Sequence, residues 1–429
     1  MPHRNPHGPT AVAVAFVTLG AVYGVWFAYS VFLVALVEDM GWSRSLTAGA
    51  ISVMSLVHGL SGPLNGRMIE RMGARRVIAL GGLLFSIGLA LTALIQTWWQ
   101  LYVTFGVVAA LGIAMAGWVP FIVTVERCYP ARLGTALGFA LAGVGFGILI
   151  GVPAINALVE SFGWRQTFLL LALLGPLWII PSAWWLLRVP ERPVSRHAMA
   201  ATATVASASA TPHWVLPTAV RSPRFWYAGF AFLTGACLAQ ILLIHQFAFM
   251  VDHGIPKAQS SMIAGTIGIA SIAGQLFWGR LSDRIGREWA YTFAAVCNVL
   301  AVAALAALGW WTAVLWLAVG FAICAGFGYG ANAPIYPATS RDLFAGPFFP
   351  SIFGTLAISG SLGAALGAWL GGWLYDVTGD YRAMLATGLI MALVSPLSLW
   401  LAAPRKPNPA PTPFESTTRF ANDDVRIPP

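Results

Sequence analysis

The sequence predicts an all-α integral membrane protein whose twelve transmembrane helices form two six-helix bundles. Three observations support this fold class: an apolar composition, twelve apolar runs of membrane-spanning length, and a loop motif that occurs once in each half. Hydrophobic residues make up 58% of the 429 residues, and charged residues only 9%. A soluble domain carries about 25% charged residues. So few charges cannot cover a surface that faces water, and we therefore expect the lipid bilayer to surround this chain.

The apolar runs follow one another along most of the chain. A helix needs about 20 apolar residues to cross a bilayer. Runs of about that length lie at 11–37, 45–66, 76–95, 99–123, 133–158, 166–187, 225–250, 258–279, 289–308, 311–337, 350–374 and 383–402. The first run is too long for the apolar core of a cleavable signal peptide and has no cleavage site, so we expect it to be a transmembrane helix.

The basic residues are distributed unevenly over the connections between these runs. If the N-terminus is cytoplasmic, all but four of the 24 Lys and Arg residues fall in cytoplasmic segments; the four are Arg44, Arg165, Lys257 and Arg382. Cytoplasmic loops carry an excess of Lys and Arg, so both termini are expected inside. The net charge of +9 has the same origin, and no nucleic-acid partner is expected. Arginine greatly outnumbers lysine, which favours a bacterial source and thus the inner membrane.

A polar connection divides the twelve runs into six and six. Residues 188–224 are dominated by Pro, Ala, Ser and Thr, and they contain no long apolar run. This composition predicts a cytoplasmic linker between an N-terminal bundle at 1–187 and a C-terminal bundle at 225–403. The tail at 404–429 is polar and rich in proline, which predicts a disordered cytoplasmic segment.

A short loop motif occurs at corresponding places in the two halves. After the second run the chain reads GRMIERMGARR from Gly66, and after the eighth run it reads GRLSDRIGRE from Gly279. The loop GWSR from Gly41 has a counterpart GIPK from Gly254 at the same spacing. Two halves of six helices each keep one orientation, so the repeat is the parallel type, related by an axis along the membrane normal.

These two loops resemble the signature G-x-L-x-D-R-x-G-R-R of the major facilitator superfamily. The second copy matches almost fully, whereas the first has Met68, Glu70 and Ala74 in place of Leu, Asp and Arg. The resemblance implies a transporter whose loops hold an inner gate shut. Charge pairs between two rigid bodies can bias such an equilibrium, although basic loops also serve topology alone. The implied gating residues are Gly66, Glu70, Arg71, Gly73 and Arg75 in the first copy, and Gly279, Asp283, Arg284, Gly286 and Arg287 in the second.

A narrower resemblance is to the monocarboxylate transporter family. The stretch 125–168 has an aromatic-Pro step, a glycine ladder, a proline and then Gly-Trp-Arg, and EDMGWSRS at 38–45 and LGGWLYD at 370–376 also fit. The resemblance implies a monocarboxylate as the small-molecule solute. Because the apolar runs hold neither a deep acid nor a deep arginine, coupling to protons would need the organic acid to cross with its own proton or a histidine to carry the proton. Two expected charges are missing. Gln275 stands where that family commonly has an arginine, and Ser30 lies near the place of a helix 1 lysine.

Few ionisable side chains lie deep inside the apolar runs. A charge at mid-membrane depth costs about 2.5–3.5 kcal/mol on insertion scales, so such residues are functional candidates by default. The acids fall in loops, in the tail or at helix ends, which leaves His58 and His245. Polar residues on helices that line or flank the family's cavity complete a mostly neutral set, in which each side chain alone could equally serve helix packing. The candidate binding residues are Tyr23, Tyr29, Ser30, His58, Gln240, His245, Gln275, Asn332 and Tyr336.

The sequence therefore favours a secondary transporter that moves a small organic acid by alternating access and acts as a monomer. An efflux transporter for apolar or aromatic compounds is the alternative, because 13% of the residues are aromatic. A channel or receptor would not need duplicated gating loops. An enzyme would need a cluster such as HExxH or paired deep carboxylates, which the sequence lacks. No cofactor or metal is expected, since the four cysteines are scattered.

Overall fold

The computed structural model describes residues 8–129, 133–187, 214–311, 314–346 and 348–404, and all regular structure within these ranges is helical. Twelve helices, here labelled α1 to α12, confirm the predicted number. They are α1 (Gly8–Met40), α2 (Arg44–Leu60 and Gly62–Met72), α3 (Ala74–Thr92), α4 (Trp98–Glu126), α5 (133–162), α6 (164–186), α7 (Pro223–Asp252), α8 (Lys257–Ile285), α9 (Arg287–Trp310), α10 (Leu315–Leu343), α11 (Phe349–Thr378) and α12 (Arg382–Ala402).

Most of these helices are long enough to cross a bilayer. Ten stretches of the described residues meet that condition by length and composition, and one of them, Ala136–Leu186, contains both α5 and α6. Gly163 separates those two helices, because its φ of 77° lies in the left-handed region that interrupts a helix. α2 completes the set of twelve.

The two copies of the loop motif have the same backbone conformation. Gly73 follows α2 with φ 83° and ψ 153°, and Gly286 follows α8 with φ 93° and ψ 160°. A residue with a Cβ atom would be strained at these angles, which explains why both copies carry glycine there. The face of the molecule that carries Gly73 and Gly286 is called the motif face below, and the other membrane face is called the opposite face.

The helices form two bundles, α1–α6 and α7–α12, whose packing follows the repeat. α1 packs along α5 in the first bundle, and its counterpart α7 packs along α11 in the second. The bundles meet through α2 against α11 and through α5 against α8. The repeat interchanges these two contacts, as an approximate two-fold axis along the membrane normal requires.

Glycines set how closely these helices approach. A Cβ atom on Gly147 of α5 would clash with the carbonyl oxygen of Gly20 on α1, and one on Gly363 of α11 would clash with that of Leu233 on α7. Small residues at such positions let helix backbones touch in membranes. Gly138, also on α5, has no heavy atom within 4 Å of its Cβ position. The glycine ladder of α5 thus serves packing at some positions and not at others.

The predicted linker and tail fall largely outside the described residues, which omit 188–213 and 405–429. Within the described part of the linker, a short helix at Leu216–Arg221 precedes α7.

Candidate functional site

Two helices are irregular at corresponding depths in the two bundles. α4 is broken at Ala116 and Gly117, and a new segment begins at Trp118. α10 has a turn at the matching place, Gly330 and Ala331, although its backbone angles stay helical there. A helix that begins inside the membrane leaves its first N–H groups without helical partners. The break in α4 therefore puts backbone donors inside the membrane-spanning length of this helix.

Four side chains surround the break in α4, and we call Tyr23, Trp26, His58 and Trp118 the aromatic cluster. The hydroxyl of Tyr23 lies 2.9 Å from Nε2 of His58. The ring centroids of Trp26 and His58 are 5.2 Å apart, and those of Tyr23 and Trp118 are 6.0 Å apart. Gly117 suits this position, because a Cβ atom there would lie 2.5 Å from the carbonyl oxygen of Ile113 and 3.0 Å from the Tyr23 hydroxyl oxygen.

Trp118 contributes a donor that nothing in the described residues accepts. Its indole Nε1 is buried and has no hydrogen-bond partner among them. An indole N–H can only donate, and a buried donor left unpaired costs about 1–3 kcal/mol. A ligand with an acceptor oxygen would satisfy this group.

The second bundle contacts α1 next to the aromatic cluster, through α10. The rings of Phe27 and Tyr329 are 6.3 Å apart and join α1 to α10 across the two bundles. Tyr329 also lines a void of about 10 Å³ together with Asn332 and Asn298. A void of that size holds no more than one water molecule. Asn332 therefore lies close to the boundary between the bundles but does not face an open cavity in this state.

Three of the candidate binding residues make their hydrogen bonds within their own bundle. The Tyr29 hydroxyl donates to the Thr47 carbonyl oxygen at 2.6 Å, and the ring stacks on Phe105. Ser30 donates to the carbonyl oxygen of Phe27 at 3.1 Å. Tyr336 shares a 3.0 Å hydrogen bond with Tyr291 and stacks on Phe232 in the second bundle. The polar atoms of these three residues already have protein partners.

The remaining candidates lie on α7 and α8. Gln240 is buried, and its Oε1 has no partner among the described residues. His245 is fully buried, with Nε2 at 2.8 Å from the carbonyl oxygen of Ala368 on α11 and Nδ1 without a partner in the described chain. Gln275 is half-buried on α8. These residues do not join the aromatic cluster, which brings together only Tyr23 and His58 of the predicted set.

The opposite face carries a set of contacts between the bundles, which we call the latch: Arg44, Asp252, Tyr375, Asp376 and Tyr381. The Arg44 guanidinium is 2.6 Å from the Asp252 carboxylate, donates to the Tyr381 hydroxyl and lies 3.9 Å above the Tyr375 ring centroid. Its side chain is only 12% exposed. An ion pair shielded in this way is stronger than one on an open surface.

Asp376 completes the latch by capping a helix of the other bundle. Its carboxylate accepts the backbone N–H groups of Arg44 at 3.0 Å and of Ser45 at 2.8 Å, at the start of α2. An acid at a helix N-terminus satisfies free donors and complements the helix dipole. A further ion pair, Lys257 with Glu38 at 2.6 Å, joins the bundles at the same face. The opposite face is thus closed by several charged contacts.

The motif face differs. Arg287 bonds Asp283 at 2.6 Å and Asp342 at 2.9 Å, both within the second bundle. Nε of Arg75 donates to the carbonyl oxygen of Ala183 within the first bundle at 3.2 Å. Glu70, Arg71 and Arg284 are exposed. In the part of the chain that the structure describes, no ion pair joins the bundles at this face.

Sequence reasoning missed several residues of this arrangement. Trp26 lies three residues after Tyr23, so helical periodicity puts both on one face of α1. Trp118 follows Gly117, which the repeat matches to Gly330, and comparing the two halves could have found it. The pairing of Arg44 with Asp252 has no comparable signal, since the two residues are 208 positions apart.

Comparisons with known proteins agree on one family. The sequence profile described as Major Facilitator Superfamily matches residues 14–324 and 241–427. The uncharacterized MFS-type transporter YhjX of Escherichia coli (strain K12) is 25% identical over 353 residues, which are 81% of this chain and 82% of that protein. Monocarboxylate transporter 3 of Rattus norvegicus is 28% identical over 386 residues, covering 87% of this chain and 75% of its own length. The matches confirm the resemblance to the major facilitator superfamily and the narrower resemblance to the monocarboxylate transporter family.

A solved structure confirms the fold. The crystal structure of a D-xylose-proton symporter aligns with a TM-score of 0.71 over 91% of this chain and 97% of its own. At 15% identity the likeness concerns the arrangement of the helices and carries no information on the solute.

Proposed function

Because this chain belongs to the major facilitator superfamily, a family of multi-pass membrane transporters, we propose that it carries a small monocarboxylate across a bacterial inner membrane by alternating access. The observation that supports this best is the Tyr23–His58 hydrogen bond beside the break in α4. It combines a titratable ring, a hydroxyl and backbone donors within the first bundle, near the contact of Phe27 with Tyr329 of the second bundle. The similarity to monocarboxylate transporter 3 along most of the chain supports the same solute class.

Recognition of the carboxylate rests on neutral donors. The Trp118 Nε1–H lacks an acceptor among the described residues, and the segment that starts at Trp118 begins beside the Tyr23 hydroxyl. Helix starts within the membrane bind anionic groups of solutes in other transporters. Such a site does not need the buried arginine or lysine that this chain lacks in the matching positions.

Proton coupling is assigned to His58. A carboxylate that enters with a proton on this ring crosses as a neutral pair, which avoids the cost of about 2.5–3.5 kcal/mol for a lone charge at mid-membrane depth. The Tyr23 hydroxyl can donate to the ring or accept from it, so the same hydrogen bond is kept in either protonation state. Transport should therefore respond to a pH gradient.

Alternating access needs two relative positions of the bundles, one closed at each membrane face. In the present structure, ion pairs join the bundles at the opposite face, and none joins them at the motif face among the described residues. We assign the motif face to the cytoplasm, as the distribution of basic residues favours, and regard the present state as closed outside. The repeated loops, with Glu70, Arg71, Asp283 and Arg284, would then meet across the bundles when the inner side closes. Bundles 1–187 and 225–403, joined by the linker 188–224, would move as rigid bodies within one monomer.

The latch yields a prediction about this equilibrium. Arg44→Gln removes the ion pair with Asp252, the hydrogen bond to Tyr381 and the contacts with the Tyr375 and Tyr381 rings. Hydrogen bonds to charged groups contribute about 1.5–3 kcal/mol each. We expect the outward-open population to rise about tenfold or more, since 1.4 kcal/mol corresponds to a factor of ten. Spin labels at positions 42 and 380, on the two sides of the latch, should report longer distances.

Arg165→Gln is the matched control for the latch. It also breaks an ion pair at the opposite face, with Asp39 at 2.9 Å, but both partners belong to the first bundle. The label distances should stay as in the unmodified protein. Equal distances in the Arg44→Gln variant would show that the latch does not hold the outer side closed.

A second candidate function is efflux of apolar or aromatic compounds. It is favoured by the aromatic cluster, in which four rings surround a site without a permanent charge. Overexpression against a panel of toxic aromatic compounds would separate the two functions. Raised resistance across the panel, without monocarboxylate uptake, would favour efflux.

Thermal shift of the purified protein tests the proposed solute class. Monocarboxylates should raise the melting temperature more than neutral compounds of the same size do, because a carboxylate accepts hydrogen bonds from the free donors about twice as strongly as a neutral oxygen does. Tyr23→Phe should remove the shift. An equal shift with neutral compounds would contradict a carboxylate site.

A further inference from the structure

A large cavity lies within the second bundle, apart from the aromatic cluster. Its volume is about 810 Å³, and it opens at the opposite face between α7, α9 and α12. Every residue that lines it belongs to the second bundle. A movement of the bundles as rigid bodies would therefore leave the cavity intact in both states.

The rim of this cavity presents acceptors and aromatic faces. The carboxylates of Asp252 and Asp380 lie at the rim with the rings of Tyr375 and Tyr381. Nδ1 of His253 donates to the carbonyl oxygen of Phe249 at 2.7 Å, and its ring stacks on that of Phe249. These groups suit a cation, because carboxylates and ring faces both attract positive charge.

One cation lies among the lining residues. The Arg382 side chain is 84% exposed and approaches Asp380 at 3.8 Å. A guanidinium so open to water is well screened, so it offsets little of the negative potential at the rim. The rim therefore favours positive charge.

The wall of the cavity is apolar. It runs along α9 from Val299 to Gly309, which is about 15 Å at 1.5 Å per residue. Leu385 and Leu389 of α12 line the other side. A ligand with its charged group at the rim would place an apolar body of this length between the two helices. The cavity thus fits an amphipathic molecule.

Arg44 of the first bundle already occupies one side of the same acceptor set. Its guanidinium binds Asp252 and the two tyrosines of the latch, and all three of those residues also line the cavity. When the latch opens, Arg44 leaves and these acceptors become free. A ligand cation and the Arg44 side chain are therefore competitors for one set of groups.

We propose that this cavity binds an amphipathic organic cation, a guanidinium or ammonium group on an apolar body, and that the bound ligand favours the state in which the latch is open. The coupling follows from linkage: a ligand that binds one state more tightly shifts the population towards that state. The site is separate from the proposed solute site and does not depend on the solute's identity.

Binding of phenylbutylguanidinium to the purified full chain in detergent, followed by calorimetry, tests this site. Arg44→Gln removes the competitor and should tighten binding about tenfold, whereas Asp252→Asn should weaken it about tenfold. Ala303→Trp fills the apolar part and should also weaken binding. Ala303 is exposed on α9, so this variant is expected to fold.

Phenylbutyrate, which carries the same apolar body with an anionic group, is the control ligand and should bind at least about tenfold more weakly. If the cation bound equally to the unmodified protein, to Asp252→Asn and to Ala303→Trp, the signal would come from partition into detergent, and the proposed binding site would be contradicted. Weaker binding in Arg44→Gln would overturn the competition with Arg44. The binding experiment does not measure transport, so its failure would not bear on the proposed function.

Discussion

Replacing Gly147 by valine is expected to prevent recovery of folded protein. A Cβ atom at this position of α5 would clash with the carbonyl oxygen of Gly20, which is backbone and cannot rotate away. Overpacking in a well-packed interior costs about 1–3 kcal/mol, and valine adds two methyl groups beyond the clashing atom. α1 and α5 would have to separate along their contact. The yield of monodisperse protein after detergent extraction is the measurement.

Gly138→Val is the matched control on the same helix. Its Cβ position has no heavy atom within 4 Å, so valine meets no backbone there. We expect near-normal yield and melting temperature from this variant. An equal yield of monodisperse protein from Gly147→Val and Gly138→Val would contradict the close contact of α1 with α5.

Loss of the Tyr23–His58 hydrogen bond is expected to give the largest effect on transport. Tyr23→Phe deletes a hydroxyl that touches both His58 and the start of the Trp118 segment. A buried partner left without its hydrogen bond costs about 1–3 kcal/mol, and uptake should fall about tenfold to a hundredfold. His58→Gln keeps a polar side chain but cannot carry a proton, so uptake by this variant should lose its response to pH. Initial uptake rates at several pH values measure both effects.

Tyr102→Phe controls for the removal of any tyrosine hydroxyl in the first bundle. The Tyr102 hydroxyl donates to the carbonyl oxygen of Leu46 at 2.8 Å, outside the aromatic cluster. Its uptake rate and pH response should stay near those of the unmodified protein. Similar losses in Tyr102→Phe and Tyr23→Phe would indicate a general effect on stability instead of a role at the site.

Much of the fold was predictable because membrane helices can be recognised from the length and composition of apolar runs in the sequence. The apolar runs locate all twelve helices, and the repeat predicts that Gly73 and Gly286 share one conformation, as they do. The joint between α5 and α6 is at Gly163, in the gap between the apolar runs 133–158 and 166–187. These features depend on local chemistry, which one sequence displays directly.

The site was less predictable, since apolar runs do not show which side of a helix faces which neighbour. Tyr29 and Tyr336 lie on helices that were expected to line the cavity, but their hydroxyl groups make hydrogen bonds within their own bundles, with Thr47 and Tyr291. Tyr23 was found, but its partner Trp118 depends on a break in α4. The latch depends on the docking of two bundles, which no local pattern encodes.

We propose above all that this chain moves a monocarboxylate together with a proton through the site at the α4 break. Uptake of radiolabelled lactate into proteoliposomes that contain the purified protein tests it most directly. Uptake should be stimulated when the outside is made acidic, should be competed by other monocarboxylates, and should be largely lost in Tyr23→Phe. Lactate uptake that matches protein-free liposomes, or that ignores the pH gradient, would contradict the claim.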